Sequence, residues 1–272
     1  MEYQAALRAL EVPVEVVNCA LGRTPVPIVG WESPASWYGF PPALIPIASN
    51  GSGPNYIGLW RHWFTDRHPS YVQMYVGSGR MVIEIARTAD QLFCHIAMAA
   101  IGVDEGIDPP FEQFARDVSI DNLADLDAVS LKTGDDPHGF SLLPQFKTDL
   151  PLNSIRDTNA YTGDFPISDY SDPHQRWKNS CSFEFQSRFL SEWPSRITRP
   201  RWLTTESKTQ VFADLMTAGD LHGAWLTLNS TGWTINAAKS ALRDIVHAAD
   251  NIQLTSVAEA WLDVADPSTG GY

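Results

Sequence analysis

Residues 41–60 place an apolar run, a turn and an alternating run within a short stretch of chain. The apolar run, Leu44 to Ala48, contains Pro46, which predicts a short edge strand because proline cannot donate a hydrogen bond to a neighbouring strand. Residues 49–54 are turn formers, and Asn55 to Trp60 then alternates as a strand with two different faces does. The pattern predicts a β-hairpin.

A second hairpin is predicted directly downstream. Tyr71 to Val76 alternates, residues 77–79 form a Gly-Ser-Gly link, and Arg80 to Ala86 runs back. Glu84 is the acidic residue inside these two runs, between two isoleucines. Because an antiparallel sheet commonly leaves one face to water, we expect Glu84 on the solvent face, in a structural role.

A helix is predicted after the second hairpin. Thr88 is a good N-cap residue, and Gln91 stands three positions later, as in a capping box. Apolar residues then recur at helical spacing until Gly102, where we expect the helix to end. The unit is therefore four strands followed by a helix.

This unit resembles the second half of the SUKH superfamily over residues 36–102. The resemblance is carried by LIPIASNGSGPNYIGLW at 44–60, the following hairpin, and the helix entry IARTADQLFCHI at 85–96. The helix and the Leu-Pro stretch that usually open such a domain are not recognisable before Trp31, and Asn50 stands where the turn usually has aspartate.

The resemblance implies a function as well as a fold. Many SUKH proteins look like bacterial immunity proteins, which bind a cognate toxin, often a nuclease or a deaminase, and block it by occlusion. For this chain it implies a cytoplasmic immunity protein that performs no reaction and needs no cofactor.

The remaining hydrophobic pattern organises the rest of the chain. Near the N-terminus the apolar pattern predicts a short helix over residues 3–10, followed by an alternating edge strand from Val12 to Val16. Helices are expected near 111–118 and 122–131, and four more between 205 and 264. Residues 133–200 are irregular, apart from an expected strand at Ser182 to Leu190.

Together these elements predict an α+β fold with a mostly antiparallel sheet, flanking helices and a C-terminal helical region. The predicted divisions are a SUKH-like unit at 1–135, an irregular connecting region packed on it at 136–200, and a helical region at 201–272. The last of these either packs on the sheet or forms a small domain of its own.

Composition narrows the function classes. The 272 residues are 44% hydrophobic and 19% charged, as in ordinary soluble globular proteins. We recognise neither a signal peptide nor an apolar stretch of membrane-spanning length, so a cytoplasmic protein that avoids membranes is expected. The three cysteines, Cys19, Cys94 and Cys181, are far apart and suggest neither a disulfide framework nor a zinc site.

Net charge points to the kind of partner. With 32 acidic and 19 basic residues, the chain carries a formal charge of -13. That charge disfavours nucleic acid, whose binding depends on Lys and Arg, and it favours a basic protein partner such as a toxin domain. The alternative is that the charge only maintains solubility.

The residues that we expect to bind such a partner combine an aromatic side chain with acids. Interface energy concentrates in residues such as tryptophan, while charges guide the approach of the partner. The candidates are Trp63, Asp66, Asp104, Glu105 and Asp108.

Two other function classes stay open at this point. If residues 62–68 were extended, His62, Asp66 and His68 would share one face and suit a divalent metal, as in a metal-dependent hydrolase. The polar residues of a loop between strands are the simpler interpretation, and no nucleotide-binding or hydrolase motif is present. The third class is a regulatory scaffold whose C-terminal helices bind a partner helix.

Overall fold

One antiparallel sheet organises the part of the chain that the computed structural model describes. The model describes residues 2–34, 39–51, 55–76, 81–104, 106–134, 136–157, 160–165 and 200–272. Within these residues the sheet has five strands in sequential order. The strands are β1 (Trp31–Glu32), β2 (Leu44–Asn50), β3 (Asn55–Trp60), β4 (Ser70–Tyr75) and β5 (Met81–Ala86).

The two predicted hairpins are β2–β3 and β4–β5, and both are confirmed. Pro46 lies on a stretch of β2 that pairs with β3 alone, because β1 reaches only Ser49 and Asn50. The register shifts between Pro46 and Ala48, as expected where a β-bulge accommodates a residue that cannot donate. For most of its length β2 is therefore an edge strand.

Helices account for most of the remaining described residues. Before the sheet lie α1 (Glu2–Ala9) and α2 (Val14–Ala20), and after it α3 (Ala89–Asp104), α4 (Pro109–Asp117) and α5 (Leu123–Thr133). The C-terminal helices are α6 (Lys208–Thr217), α7 (Leu221–Leu228), α8 (Ile235–Ala249) and α9 (Ile252–Val264). The α+β class predicted from the sequence is confirmed.

Both faces of the sheet are buried. Ile57 and Leu59 of β3 belong to a core formed mainly with α1 to α5, to which Val257 and Ala260 of α9 also contribute. Tyr56 and Trp60 belong to a second core formed with the C-terminal helices. Alternating side chains in one strand thus contribute to different cores. The C-terminal helices accordingly pack on the sheet instead of standing apart from it.

Helix α3 begins as predicted and ends later than predicted. The Thr88 hydroxyl accepts from the Gln91 N–H at 3.2 Å, and the Gln91 side chain accepts from the Arg87 N–H at 2.8 Å. The helix continues past Gly102 to Asp104. Gly102 does not have the left-handed backbone that glycine adopts after a helix end, so it is tolerated inside the helix.

The strand predicted at Val12 to Val16 is wrong, because this segment enters a helix. Pro13 directly precedes the first residue of α2 with φ of -52°, a value already close to that of a helix. Val16, Val17 and Ala20 are buried and share one helical face, and this spacing also fits the apolar pattern. Proline here starts a helix and does not mark a sheet edge.

The middle of the chain contains short 3₁₀ helices and no longer element among its described residues. They span Pro137–Leu142, Pro144–Phe146 and Leu152–Ser154, and the last of them lies against β5. The strand predicted at 182–190 lies outside the described residues. None of the helices in the described ranges is both long and apolar enough to cross a membrane.

Strand β3 needs glycine at position 58, because β2 leaves no room there for a side chain. A Cβ atom at this position would lie 2.6 Å from the carbonyl oxygen of Ile45, and such contacts force the backbone to shift. We expect Gly58→Ala to lower the free energy of unfolding by about 2 kcal/mol. Urea denaturation of the purified variant measures this loss.

Gly102→Ala is the matched control for that measurement. An added Cβ at Gly102 meets no atom within 4 Å, and alanine is the better helix former. We expect this variant to be as stable as the native protein, or up to about 1 kcal/mol more stable. Equal losses in both variants would contradict the close approach of β2 and β3.

Candidate functional site

Trp63 lies just beyond the end of β3, and its side chain packs against the cores on both faces of the sheet. It is half-buried, and the guanidinium carbon of Arg61 lies 4.3 Å from its ring centroid. Its Nε1 is buried and has no hydrogen-bond partner among the described residues. Trp63 therefore offers a partner less surface than the sequence suggests, whereas Asp66 is exposed.

His62 is a buried, neutral histidine. Its Nδ1 accepts from the Phe64 N–H at 3.1 Å, and its ring centroid lies 4.8 Å from that of exposed His222. Burial, with help from the positive charge of Arg67 and from His222, lowers the pKa of His62 to about 3. The imidazole therefore carries no charge at neutral pH.

The structure does not bring His62, Asp66 and His68 together as metal ligands. In the described ranges there is no group of three or more His, Cys, Asp or Glu side chains that could hold a metal ion. His68 is exposed, and its backbone N–H points to the Asp164 carboxylate at 3.4 Å. Residues 62–68 form a loop between β3 and β4, in which Asp66 and His68 are exposed and His62 is buried.

The predicted partner-binding residues that the structure describes do not form one surface. Trp63 and Asp66 lie at the end of the sheet where α3 starts, because β5 ends there at Ala86. Asp104 is the last residue of α3, about 24 Å away along a helix of sixteen residues. Asp108 caps α4 by accepting from the Phe111 N–H at 2.8 Å, and Glu105 lies outside the described residues.

A larger concentration of acids surrounds Asp108. Between residues 104 and 136 the sequence has ten acidic and two basic residues, which is a net charge of -8 out of the total of -13. Helices α4 and α5 lie within this stretch, and both pack against α3. We call the exposed acids on these helices and just before them the acidic surface: Asp108, Glu112, Asp117, Asp121 and Asp125.

The acidic surface has little internal compensation within the described residues. Arg116 lies 3.6 Å from Glu112, one helical turn away, and both side chains are exposed. Such an exposed pair contributes little to stability, and it leaves most of the negative charge uncancelled. Of these five acids, only Asp108 is among the predicted partner-binding residues. Counting charges in a sliding window over the sequence would have identified the others.

Glu84 is buried, and the prediction that it faces solvent is wrong. Its side chain is 0% exposed and accepts three hydrogen bonds: from Ser70 Oγ at 2.6 Å, from Tyr161 Oη at 2.6 Å and from the Leu152 N–H at 2.8 Å. Tyr161 and Leu152 belong to the irregular region, which covers this face of the sheet at β5. Alternation places Glu84 on the correct face, but that face is not open to water.

Glu84 thus joins the irregular region to the sheet. Burial raises the pKa of its carboxyl group, and this effect exceeds the opposing hydrogen bonds and the positive charge of Arg87. Arg87 in turn pairs with Asp149 at 3.4 Å and lies above the Tyr161 ring. The arrangement is a structural link made of one carboxyl group and donors from three chain segments.

Comparisons with known proteins do not identify the chain. No family model matches the sequence, and neither a curated protein nor a solved structure matches it.

The raised pKa of Glu84 predicts a specific pH dependence of stability. The native carboxyl group keeps its proton to a higher pH than the unfolded one, whose pKa is near 4.5, so its contribution to stability falls as pH rises above that value. We expect the difference in unfolding free energy between the native protein and Glu84→Gln to decrease from pH 5 to pH 8. Urea denaturation at several pH values measures it, and a difference that grows with pH would contradict the assignment.

Tyr161→Phe tests the link from the other side. The variant removes one donor from a buried carboxyl group and keeps the ring, so we expect a loss of about 1–3 kcal/mol in unfolding free energy. A stability equal to that of the native protein would show that the hydrogen bond is not needed.

Proposed function

We propose that this chain is a binding protein that neutralises a basic protein partner, as an immunity protein neutralises its cognate toxin. The observation that carries the proposal is the net charge of -8 between residues 104 and 136, the stretch of chain that contains α4 and α5. The resemblance of residues 36–102 to SUKH proteins supports the immunity role. A cytoplasmic location belongs to the same proposal.

Electrostatics explains how the acidic surface would work. Opposite fields accelerate encounter and orient the two proteins, while neighbouring apolar contacts supply affinity. Ile107 and Leu131 flank the acids and are exposed, at 39% and 83%. A nuclease or deaminase that binds nucleic acid needs a basic cleft, which is complementary to such a surface. The mechanism is stoichiometric occlusion without any chemical step.

The position of the acids changes which residues should matter. The acidic surface, including Asp108, is the main contact region in this proposal. Asp66 lies at the other end of α3 and contributes at most a peripheral contact. Trp63 acts in packing, because its ring is occupied by Arg61 and by both cores.

Affinity capture from the native cell extract tests the proposal, followed by co-expression with the captured protein. We expect a basic protein that stops growth when expressed alone, and we expect growth to recover when this chain is present. A captured partner that is harmless, or the absence of any partner, would contradict the immunity role. Catalytic turnover of a small molecule by the purified chain would contradict the non-enzymatic mechanism.

The acidic surface also predicts the effect of neutralising it. Asp121 and Asp125 are exposed, and no ion pair or cap involving them is found among the described residues. We expect Asp121→Asn with Asp125→Asn to slow association with the captured partner several-fold at low salt, while the dissociation rate changes less. Surface plasmon resonance at two salt concentrations measures both rates.

A second double variant controls for net charge alone. Asp244 and Asp263 are exposed on α8 and α9, whose buried residues lie mainly in the second core. Asp244→Asn with Asp263→Asn makes the same chemical change, and we expect nearly native association rates. If the two double variants slow association equally, then the association rate depends only on the overall charge of the chain, and the acidic surface is not the contact region.

A further inference from the structure

A cavity of about 670 Å³ lies between the sheet and α3, on the face opposite the C-terminal helices. Its floor comes from β4 and β5, one wall from the second half of α3, and the other wall from residues 134–153. Pockets that hold small organic molecules in proteins have volumes of this order. The cavity is separate from Glu84, which faces the other side of the sheet.

The walls of the cavity are largely apolar. Ile83 and Ile85 project from β5, Met98 projects from α3, and Phe140 closes the side formed by the irregular region. Val103, at the end of α3, also lines the cavity and is 58% exposed, so apolar surface continues to the opening. A ligand with an apolar body would bury this surface.

A few polar groups interrupt the apolar lining. They are Gln73, Tyr75, His95 and Asn153. The His95 ring packs edge-on against Phe140, with 5.6 Å between the ring centroids, and its Nδ1 is buried without a hydrogen-bond partner in the described part of the chain. Since buried polar atoms are normally paired, His95 has hydrogen-bonding capacity that the protein leaves unused.

The described lining of the cavity carries no charge. None of the described residues that line it is Asp, Glu, Lys or Arg, and burial lowers the pKa of His95 to about 4, so this imidazole is neutral. Gly134 in the wall belongs to the stretch 104–136 with its net charge of -8. An anionic ligand would lose its hydration without gaining a counter-charge, and it would approach through a negative field.

We propose that this cavity binds an uncharged, mainly apolar small molecule with one hydrogen-bonding group directed at His95. The size and apolar walls of the cavity favour a ligand with an apolar body, and the unpaired His95 imidazole favours one polar group on it. The lack of a positive charge in the described lining disfavours fatty acids and other anions. The site is independent of the partner-binding role proposed for α4 and α5.

Two fluorescent probes of matched shape test this site in the full chain. N-phenyl-1-naphthylamine is neutral with one N–H group, and 8-anilino-1-naphthalenesulfonate adds a sulfonate to the same body. We expect saturable binding of the neutral probe at about one per chain, with a dissociation constant on the order of micromolar. The sulfonate should bind at least about tenfold more weakly. Equal binding of both probes, or no saturable binding of the neutral one, would overturn the proposal.

Substitutions locate the bound probe. Gly102 lines the cavity, and a Cβ atom added there meets no other atom within 4 Å, so we expect Gly102→Phe to occupy part of the cavity in a folded protein. We expect this variant to lose binding of the neutral probe. Ala213→Phe, at an exposed helical position on α6, makes a similar addition elsewhere and should bind as the native protein does. Unchanged binding in Gly102→Phe would place the probe outside the cavity and overturn the proposal.

His95→Phe isolates the polar contact. The variant keeps an aromatic ring against Phe140 and removes both nitrogen atoms. We expect affinity for the neutral probe to fall about fivefold, which corresponds to the loss of one hydrogen bond. Thermal unfolding of each variant verifies that it is folded, and an unchanged affinity in folded His95→Phe would contradict the role given to the imidazole.

Discussion

The structure depends on a sheet whose two faces are both buried. Each of the central strands supplies one row of side chains to the core with α1 to α5 and the other row to the core with the C-terminal helices. Because alternate residues point to opposite faces, a slip of one residue would exchange the two rows and damage both cores together. In β3 the aromatic Tyr56 and Trp60 lie on one face and the aliphatic Ile57 and Leu59 on the other, and β2 leaves no room for a Cβ atom at Gly58.

The edge of this sheet at β5 is completed by the irregular region. Glu84 accepts a hydrogen bond from the Leu152 N–H, and the next residue, Asn153, contributes to the wall of the cavity on the opposite face. The same link therefore protects an exposed strand edge and fixes one side of the proposed ligand site. Both proposed binding sites lie on the α3 side of the sheet: the acidic surface at α4 and α5, and the cavity beneath the end of α3.

Local sequence signals predicted most of the fold, and non-local ones were missed. The hairpins, the Thr88 cap and the C-terminal helices depend on residues close in sequence, so their patterns are visible in the chain itself. The burial of Glu84 could not be predicted, since Tyr161 lies 77 positions away and nothing in β5 indicates what covers it. Composition alone was also misleading, because it grouped Asp66 with Asp108, although these residues lie near opposite ends of α3.

The measurement that tests the shared sheet most directly is hydrogen exchange of the native protein in increasing urea, followed for amides in α3 and in α8. If both cores depend on the same strands, the two helices lose protection at the same urea concentration with equal opening free energies. Loss of protection in α8 at a urea concentration where α3 remains protected would show that the C-terminal helices fold independently, and it would contradict the account.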